Sequence, residues 1–174
     1  MNPKLESLFN LMEADRQKLV ERLSKLSTEQ LNHSKSGKWS IHQIMAHLMT
    51  AEKLSLQYMT KKIQGIHETE NTGVVEELKM ITLKISQRLP FKFKAPKALV
   101  EFTPTNTDFH TLNADWNSIR KELKDFLEKF PNDQLDKKVY RHVIAGRLNI
   151  KHALIFFREH YIHHLPQINK LIRP

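Results

Sequence analysis

The histidines near the C-terminus have a spacing that can hold a metal ion. On an α-helix, the step of four residues from His160 to His164 places two imidazoles on one face, one turn apart. Both fall within an apolar stripe, where an imidazole without a partner would be costly, whereas His163 points further away. The spacing is therefore compatible with a metal site, but also with hydrogen-bonded core histidines, and two imidazoles alone do not make a site.

The composition is that of an ordinary globular domain. Of the 174 residues, 40% are hydrophobic and 27% are charged, which suits one domain over residues 1–174 with a sizeable core. There is no run of about 18 uncharged apolar residues and no signal-peptide core after Met1, so we expect a cytoplasmic protein without a membrane partner. The chain has 0 cysteines. A metal must therefore bind through nitrogen or oxygen, and thiol chemistry must use a thiol of the substrate.

The net charge of +9 raises the question of nucleic-acid binding, because basic patches bind phosphates with release of counterions. The densest basic cluster lies between Phe91 and Lys97, where lysines alternate with aromatic residues beside Pro90 and Pro96. It could contact phosphate or an acidic partner, but such a segment is more typical of an exposed, solvated loop. We therefore expect no specific nucleic-acid partner.

Three stretches have the apolar periodicity of long helices. The first runs from Leu5 to about Ser27. The second carries the apolar stripe from Phe109 to Phe130 and ends at Pro131. The last runs from about Asn149 to Leu171, with Pro166 inside it, where a local kink is expected. The apolar stripes are Leu5, Leu8, Met12, Leu19, Leu23 and Leu26; Phe109, Leu112, Trp116, Ile119, Leu123, Phe126 and Phe130; and Ile150, Leu154, Phe157, Tyr161, His164, Ile168 and Leu171.

A further long helix, the second along the chain, has a clearly marked start. Ser40 and Gln43 have the spacing of a capping box, in which each side chain binds the other residue's backbone amide, and Trp39 stands at a hydrophobic-staple position. From this start, His47 falls at the edge of the core face. His42 lies about 140° away around the helix and cannot easily share an ion with His47. The predicted buried side is Ile41, Ile44, Leu48, Ser55 and Met59, flanked by Met45 and Glu52.

The segment from Gly65 to Asn106 is the least regular part of the sequence. Gly73 and Pro90 bracket one short helix, predicted over about 74–88, and a proline-marked loop follows. Four long helices with one apolar face each can bury those faces against one another. The sequence therefore predicts an all-α four-helix bundle with an irregular insertion between the second and third long helices.

Two signatures in the sequence are similar to those of a known family. The first runs from Trp39 to Leu48 and is followed by Glu52; the second runs from His142 to Ile150 and leads into residues 159–168. Their order and separation resemble the DinB-like (YfiT-type) family of four-helix-bundle proteins, over roughly residues 26–168.

The resemblance implies a three-histidine metal site. In that family, one histidine of the second helix and two of the last bind a divalent metal, and the matching positions here are His47, His160 and His164. Three neutral imidazoles leave coordination positions open, and zinc, nickel or iron would suit them. A divalent ion lowers the pKa of a bound water or thiol. Family members include transferases that use low-molecular-weight thiols, and others resemble hydrolases or isomerases, so the resemblance implies a metal-dependent S-transferase or hydrolase with a small-molecule substrate.

Other residues and roles keep more than one interpretation. Glu52 could accept a hydrogen bond from a ligand imidazole beside the metal or could be a surface carboxylate, and His163 belongs to the periphery of the site. Gln167 could contact the site, but a solvated amide is the simpler interpretation. The alternative to an enzyme is a non-catalytic bundle, in stress response or protein association, with a structural or vestigial metal site. Family members often pair through helix faces, so a homodimer is compatible with the resemblance.

Overall fold

The computed structural model describes residues 1–34, 38–89, 97–104 and 107–172. Its long helices are α1 (Pro3–Leu23), α3 (Ile41–Lys62), α6 (Phe109–Glu128) and α7 (Ile150–Ile172). Between them lie shorter elements: α2 (Thr28–Asn32), α4 (Val74–Arg88), α5 (Lys97–Phe102), the 3-10 segments Ile63–Glu68 and Asn132–Gln134, and a hairpin of β1 (Tyr140–His142) and β2 (Gly146–Leu148). The predicted all-α four-helix bundle is confirmed.

Helix α1 is bounded by local signals at both ends. The Asn2 side chain caps its first turn, and Pro3 stands where a missing amide does no harm. The helix ends at Leu23, so the predicted end near Ser27 is wrong. The reason is that Ser27 caps α2, since its hydroxyl accepts from the Gln30 amide while the Gln30 side chain accepts from the Ser27 amide.

Helix α3 begins where the sequence predicted. The Ser40 hydroxyl accepts from the Gln43 amide at 3.2 Å, and the Gln43 side chain accepts from the Ser40 amide at 2.9 Å, which confirms the capping box. From Ile41 to Glu52 every residue except Gln43 is buried, so this half of the helix is enclosed on nearly all sides. Ser55, predicted on the buried side, is only half-buried and donates its hydroxyl to a backbone carbonyl of the preceding turn.

The insertion between α3 and α6 is partly helical. Helix α4 occupies the residues predicted for it and packs against α7 through an inner face that includes Met80 and Leu83. Helix α5 was not predicted, and it contacts α3. The basic cluster between Phe91 and Lys97 lies outside the described residues except for Lys97, which is exposed.

Buried apolar side chains form two clusters within the bundle. Phe157 belongs to one cluster and Ile168 to the other. Because both residues are on α7, His160 and His164 lie between the two clusters along this helix. Helix α7 continues through Pro166. Within the described ranges, none of the helices is long and apolar enough to cross a membrane.

The hairpin before α7 was not predicted from the sequence. Its antiparallel strands pair Tyr140 with Leu148, and Gly146 begins β2 directly after the turn with a φ of 79°, a backbone conformation that favours glycine. Tyr140 packs against Phe156 and Phe157. The hairpin is therefore anchored to the same stretch of α7 that carries the first site histidine.

Candidate metal centre

Three histidines from two long helices meet inside the bundle. His47 of α3 faces His160 and His164 of α7, and one ring nitrogen from each of the three lies within 4.8 Å of the others. The Nε2 atoms of His47 and His160 are 3.1 Å apart. The structure thus brings together the three histidines named from the sequence, whereas His42 is outside the group.

The geometry of the cluster suits a first-row divalent metal. Zinc binds imidazole nitrogen at about 2.0–2.1 Å, so two nitrogens of a tetrahedral site are about 3.3 Å apart. The Nε2 atoms of His47 and His160, at 3.1 Å, are close to that separation. The widest pair of the three nitrogens is as much as 4.8 Å apart, so those two rings would have to approach by up to about 1.5 Å to reach the same separation.

Burial keeps the three imidazoles neutral. It lowers the pKa of His47 to about 4 and that of His164 to about 3, and it lowers the pKa of His160 well below its usual value, with repulsion among the histidines adding to the effect. Each group is therefore uncharged at neutral pH. The nitrogen lone pairs that a metal needs are available without loss of a proton.

Neighbouring side chains fix the orientation of the rings. The Nδ1–H of His164 donates to the Gln167 amide oxygen at 3.3 Å, which leaves Nε2 free for a metal, as is usual for ligand histidines. The ring of Phe156 stacks on His160 at 5.3 Å, and the ring of Trp39 lies 4.7 Å from that of His47. Among the described residues, His47 Nδ1 is buried without a hydrogen-bond partner.

Comparison with known proteins places the fold in a family. The family model described as the DinB superfamily matches residues 11–168. The chain belongs to the DinB superfamily. The solved structure of YfiT from Bacillus subtilis, described as a probable metal-dependent hydrolase with an unusual four-helix bundle topology, is similar with a TM-score of 0.63 and 16% identity, over 99% of this chain and 88% of YfiT. No curated protein matches the sequence. The likeness confirms the DinB-like fold that the two signatures predicted.

Glu52 has neither of the two roles that the sequence left open for it, since it is buried and is not hydrogen-bonded to a ligand imidazole. Instead of accepting from a ligand imidazole, one carboxylate oxygen accepts from Trp116 Nε1 at 2.9 Å and the other from Arg120 Nη2 at 2.7 Å. Burial raises the pKa of Glu52, although Arg120 and Trp116 favour its charged form. In this member of the DinB superfamily, Glu52 therefore joins α3, the helix that carries His47, to α6.

His163 lies beside the cluster, as predicted, and connects it to α4. Its Nδ1–H donates to the Gln87 carbonyl at 2.7 Å, and its ring is 5.1 Å from that of His164. Glu159, the residue before His160 on α7, accepts two hydrogen bonds from Arg88, each of 2.9 Å. These contacts tie the end of α4 to the site helix, and they were not predicted from the sequence.

His142, the first residue of the second signature, lies on the hairpin beside the site, a position that the sequence did not predict. Its Nδ1 accepts from the backbone amides of Ile144 and Ala145 at 3.2 and 3.1 Å. Its ring lies 4.4 Å from Phe156, the residue stacked on His160, and burial lowers its pKa to about 4. Finding it would have required recognition of the hairpin, whose strands of three residues are too short to show alternation.

Proposed function

We propose that this DinB-superfamily protein is a metal-dependent hydrolase of a small molecule, with His47, His160 and His164 as the metal ligands. The observation that carries the proposal is the convergence of three imidazole nitrogens within 4.8 Å of one another. The lowered pKa values of these histidines support it, because neutral imidazoles are competent ligands at physiological pH.

The donor set determines the chemistry available. Three protein ligands leave at least one coordination position for a water molecule, and a divalent ion lowers the pKa of that water toward 7. The chain itself supplies orientation and shielding: Gln167 holds the tautomer of His164, while Phe156 and Trp39 place aromatic rings beside the ligands. These contacts are what a reactive centre needs to keep its ligands aligned.

Hydrolysis is the reaction that the comparison supports. YfiT, which shares the fold, is described as a probable metal-dependent hydrolase. A thiol-dependent transferase would need an external thiol, because this chain contains 0 cysteines. The presence or absence of a low-molecular-weight thiol in the assay therefore separates the two reactions.

The proposal is tested with protein purified without a histidine tag. Wild type, His160→Ala and the matched control His42→Ala are loaded with zinc, nickel or iron and assayed on ester, amide and phosphoester panels, with and without a thiol. We expect hydrolysis by metal-loaded wild type and His42→Ala and its loss in His160→Ala, because His42 is buried on the same helix as His47 but lies outside the cluster.

Two other outcomes would contradict the proposal in different ways. Turnover that requires the thiol would replace hydrolysis by transfer. Stoichiometric metal without turnover on any panel would favour the non-catalytic bundle with a structural metal.

A further inference from the structure

Trp39 is an exposed part of the wall around the metal centre. Its ring lies 4.7 Å from that of His47, and it is nearly parallel to the ring of His164, with 6.3 Å between centroids and 17° between planes. Trp39 is 38% exposed, whereas His47 and His164 are 4% and 7% exposed. Of the residues whose rings contact a ligand histidine in the described part of the chain, Trp39 is the most exposed. It therefore adjoins two ligands and solvent at the same time.

The aromatic cover of the third ligand is closed to solvent. The ring of Phe156 stacks on that of His160 at 5.3 Å and is itself only 8% exposed. The ring of His142, from the hairpin, lies a further 4.4 Å from Phe156. Of the two aromatic residues that cover the ligands, Trp39 is therefore the one that a molecule from solvent can contact.

The two tryptophans of the chain have different surroundings. Trp116 is 1% exposed, and its indole N–H donates to Glu52. The guanidinium groups of Arg16 and Arg120 lie 5.8 and 5.9 Å from its ring. Among the described residues, no arginine or lysine lies over the ring of Trp39 in this way. Trp116 is thus part of the core, while the exposed surface of Trp39 is available to a ligand.

An exposed indole beside a metal centre favours a substrate with a flat aromatic group. Stacked aromatic rings gain free energy beyond that of the apolar area they bury. A hydrophobic staple before α3 requires only an apolar side chain, so it does not by itself account for an indole placed against two ligand rings.

We propose that Trp39 is a specificity-determining residue that contacts the substrate, and that the substrate carries an aromatic group beside the bond that is hydrolysed. The inference rests on the proposed function, because it takes the three histidines to hold a metal with an open coordination position. The aromatic group lies against the exposed indole while the hydrolysable group reaches the metal. Aryl esters and aryl amides should therefore turn over faster than their alkyl counterparts.

Two hydroxamates that differ in one group test the contact without any turnover. Acetohydroxamate and benzohydroxamate bind zinc through the same pair of oxygens, but only benzohydroxamate carries a phenyl ring beside them. Their affinities for zinc-loaded, tag-free protein are measured by calorimetry for wild type, Trp39→Leu and Trp39→Phe. Leucine keeps an apolar side chain at the staple position without a flat ring, whereas phenylalanine keeps an aromatic ring.

The ratio of the two affinities isolates the contribution of the phenyl ring. We expect the preference of wild type for benzohydroxamate to fall by at least about fivefold in Trp39→Leu and by less than about twofold in Trp39→Phe. The affinity for acetohydroxamate should stay unchanged in both. The matched control Phe102→Leu removes a ring on α5 that is 64% exposed and makes no ring contact with a ligand, and it should keep the wild-type ratio. Circular dichroism checks that each variant is folded.

Tryptophan fluorescence gives a second measurement that does not depend on Trp39→Leu. Benzohydroxamate should change the emission of zinc-loaded wild type more than acetohydroxamate does, because its phenyl ring contacts Trp39. In Trp39→Phe the remaining tryptophan is the buried Trp116, and the two hydroxamates should give the same small change.

The outcomes separate this inference from the proposed function. If acetohydroxamate does not bind zinc-loaded wild type, there is no open coordination position, and the proposed function fails together with the inference. If acetohydroxamate binds but the ratio of affinities is the same in wild type and Trp39→Leu, whether or not both affinities fall, the contact with Trp39 is overturned. Trp39 would then have only a structural role, and the metal centre would stand.

Discussion

Removal of the Glu52 carboxylate should destabilise the protein strongly. Both of its oxygens have buried donors, Trp116 Nε1 at 2.9 Å and Arg120 Nη2 at 2.7 Å, and Glu52 and Arg120 are only 4% and 5% exposed. In Glu52→Ala the guanidinium of Arg120 stays buried, with Glu13 at 3.5 Å as its remaining acidic partner. The variant thus leaves a buried charge only partly compensated.

The size of the loss follows from these contacts. Breaking a buried ion pair by removing one partner costs about 3–5 kcal/mol. Because Glu13 still attracts Arg120, we expect the lower end, a decrease of about 3 kcal/mol in the free energy of unfolding. For a chain of this length, 1 kcal/mol corresponds to a shift of about 2–4 °C, so Tm should fall by about 6–12 °C.

Urea unfolding of metal-free protein, followed by circular dichroism, measures this loss. The control is Glu21→Ala, which removes an ion pair to Lys25 whose side chains are 73% and 71% exposed, and it should change the free energy of unfolding by less than about 0.5 kcal/mol. A loss below about 1 kcal/mol in Glu52→Ala, or a loss equal to that of the control, would refute the role of Glu52 as a buried connection between α3 and α6.

Three further predictions concern the site and the helix that carries it. The pKa values of His47 and His164 are lowered in the folded state to about 4 and 3, so the unfolded chain binds protons first as the pH falls. Metal-free protein should therefore lose about 1.6 kcal/mol of unfolding free energy per histidine between pH 6.5 and pH 5; urea titrations across this range measure the loss, and a flat profile would contradict it. Ser40→Ala removes the cap of α3 and should lower the free energy of unfolding by about 1 kcal/mol in the same titration. Ser27→Ala, at the start of the short α2, should lower it by less, and equal losses would contradict the importance of the Ser40 cap. Gln167→Ala should weaken zinc binding by about tenfold with little change in stability, because Gln167 is exposed; unchanged affinity in calorimetry would show that its hydrogen bond to His164 does not orient the ligand.

The sequence predicted the features of the site that depend on local patterns. Ser40 and Gln43 determine the start of α3, and the start determines the direction in which His47 points. The four-residue step between His160 and His164 is likewise local to α7. That α3 and α7 bring these histidines together was implied by the family resemblance, since periodicity alone does not say which helices adjoin.

Two features that were missed, the partners of Glu52 and the position of Trp39, depend on contacts between distant residues. Glu52 receives its hydrogen bonds from residues 64 and 68 positions away, so its burial could be suggested from α3 but its partners could not. Trp39 stands at a staple position in the sequence, yet its ring lies beside His47 and 6.3 Å from that of His164 on α7. The end of α1 was missed for a local reason, because Leu26 continues the apolar stripe beyond the true end at Leu23.

Anomalous X-ray diffraction from crystals of tag-free protein soaked in zinc or nickel tests the central claim most directly. We expect one strong peak at the absorption edge of the soaked metal, about 2.0–2.1 Å from a ring nitrogen of each of His47, His160 and His164, with no fourth protein ligand. The peak should be absent in His160→Ala and present in His42→Ala. A peak elsewhere on the chain, or none at the three histidines at full metal loading, would contradict the three-histidine metal site.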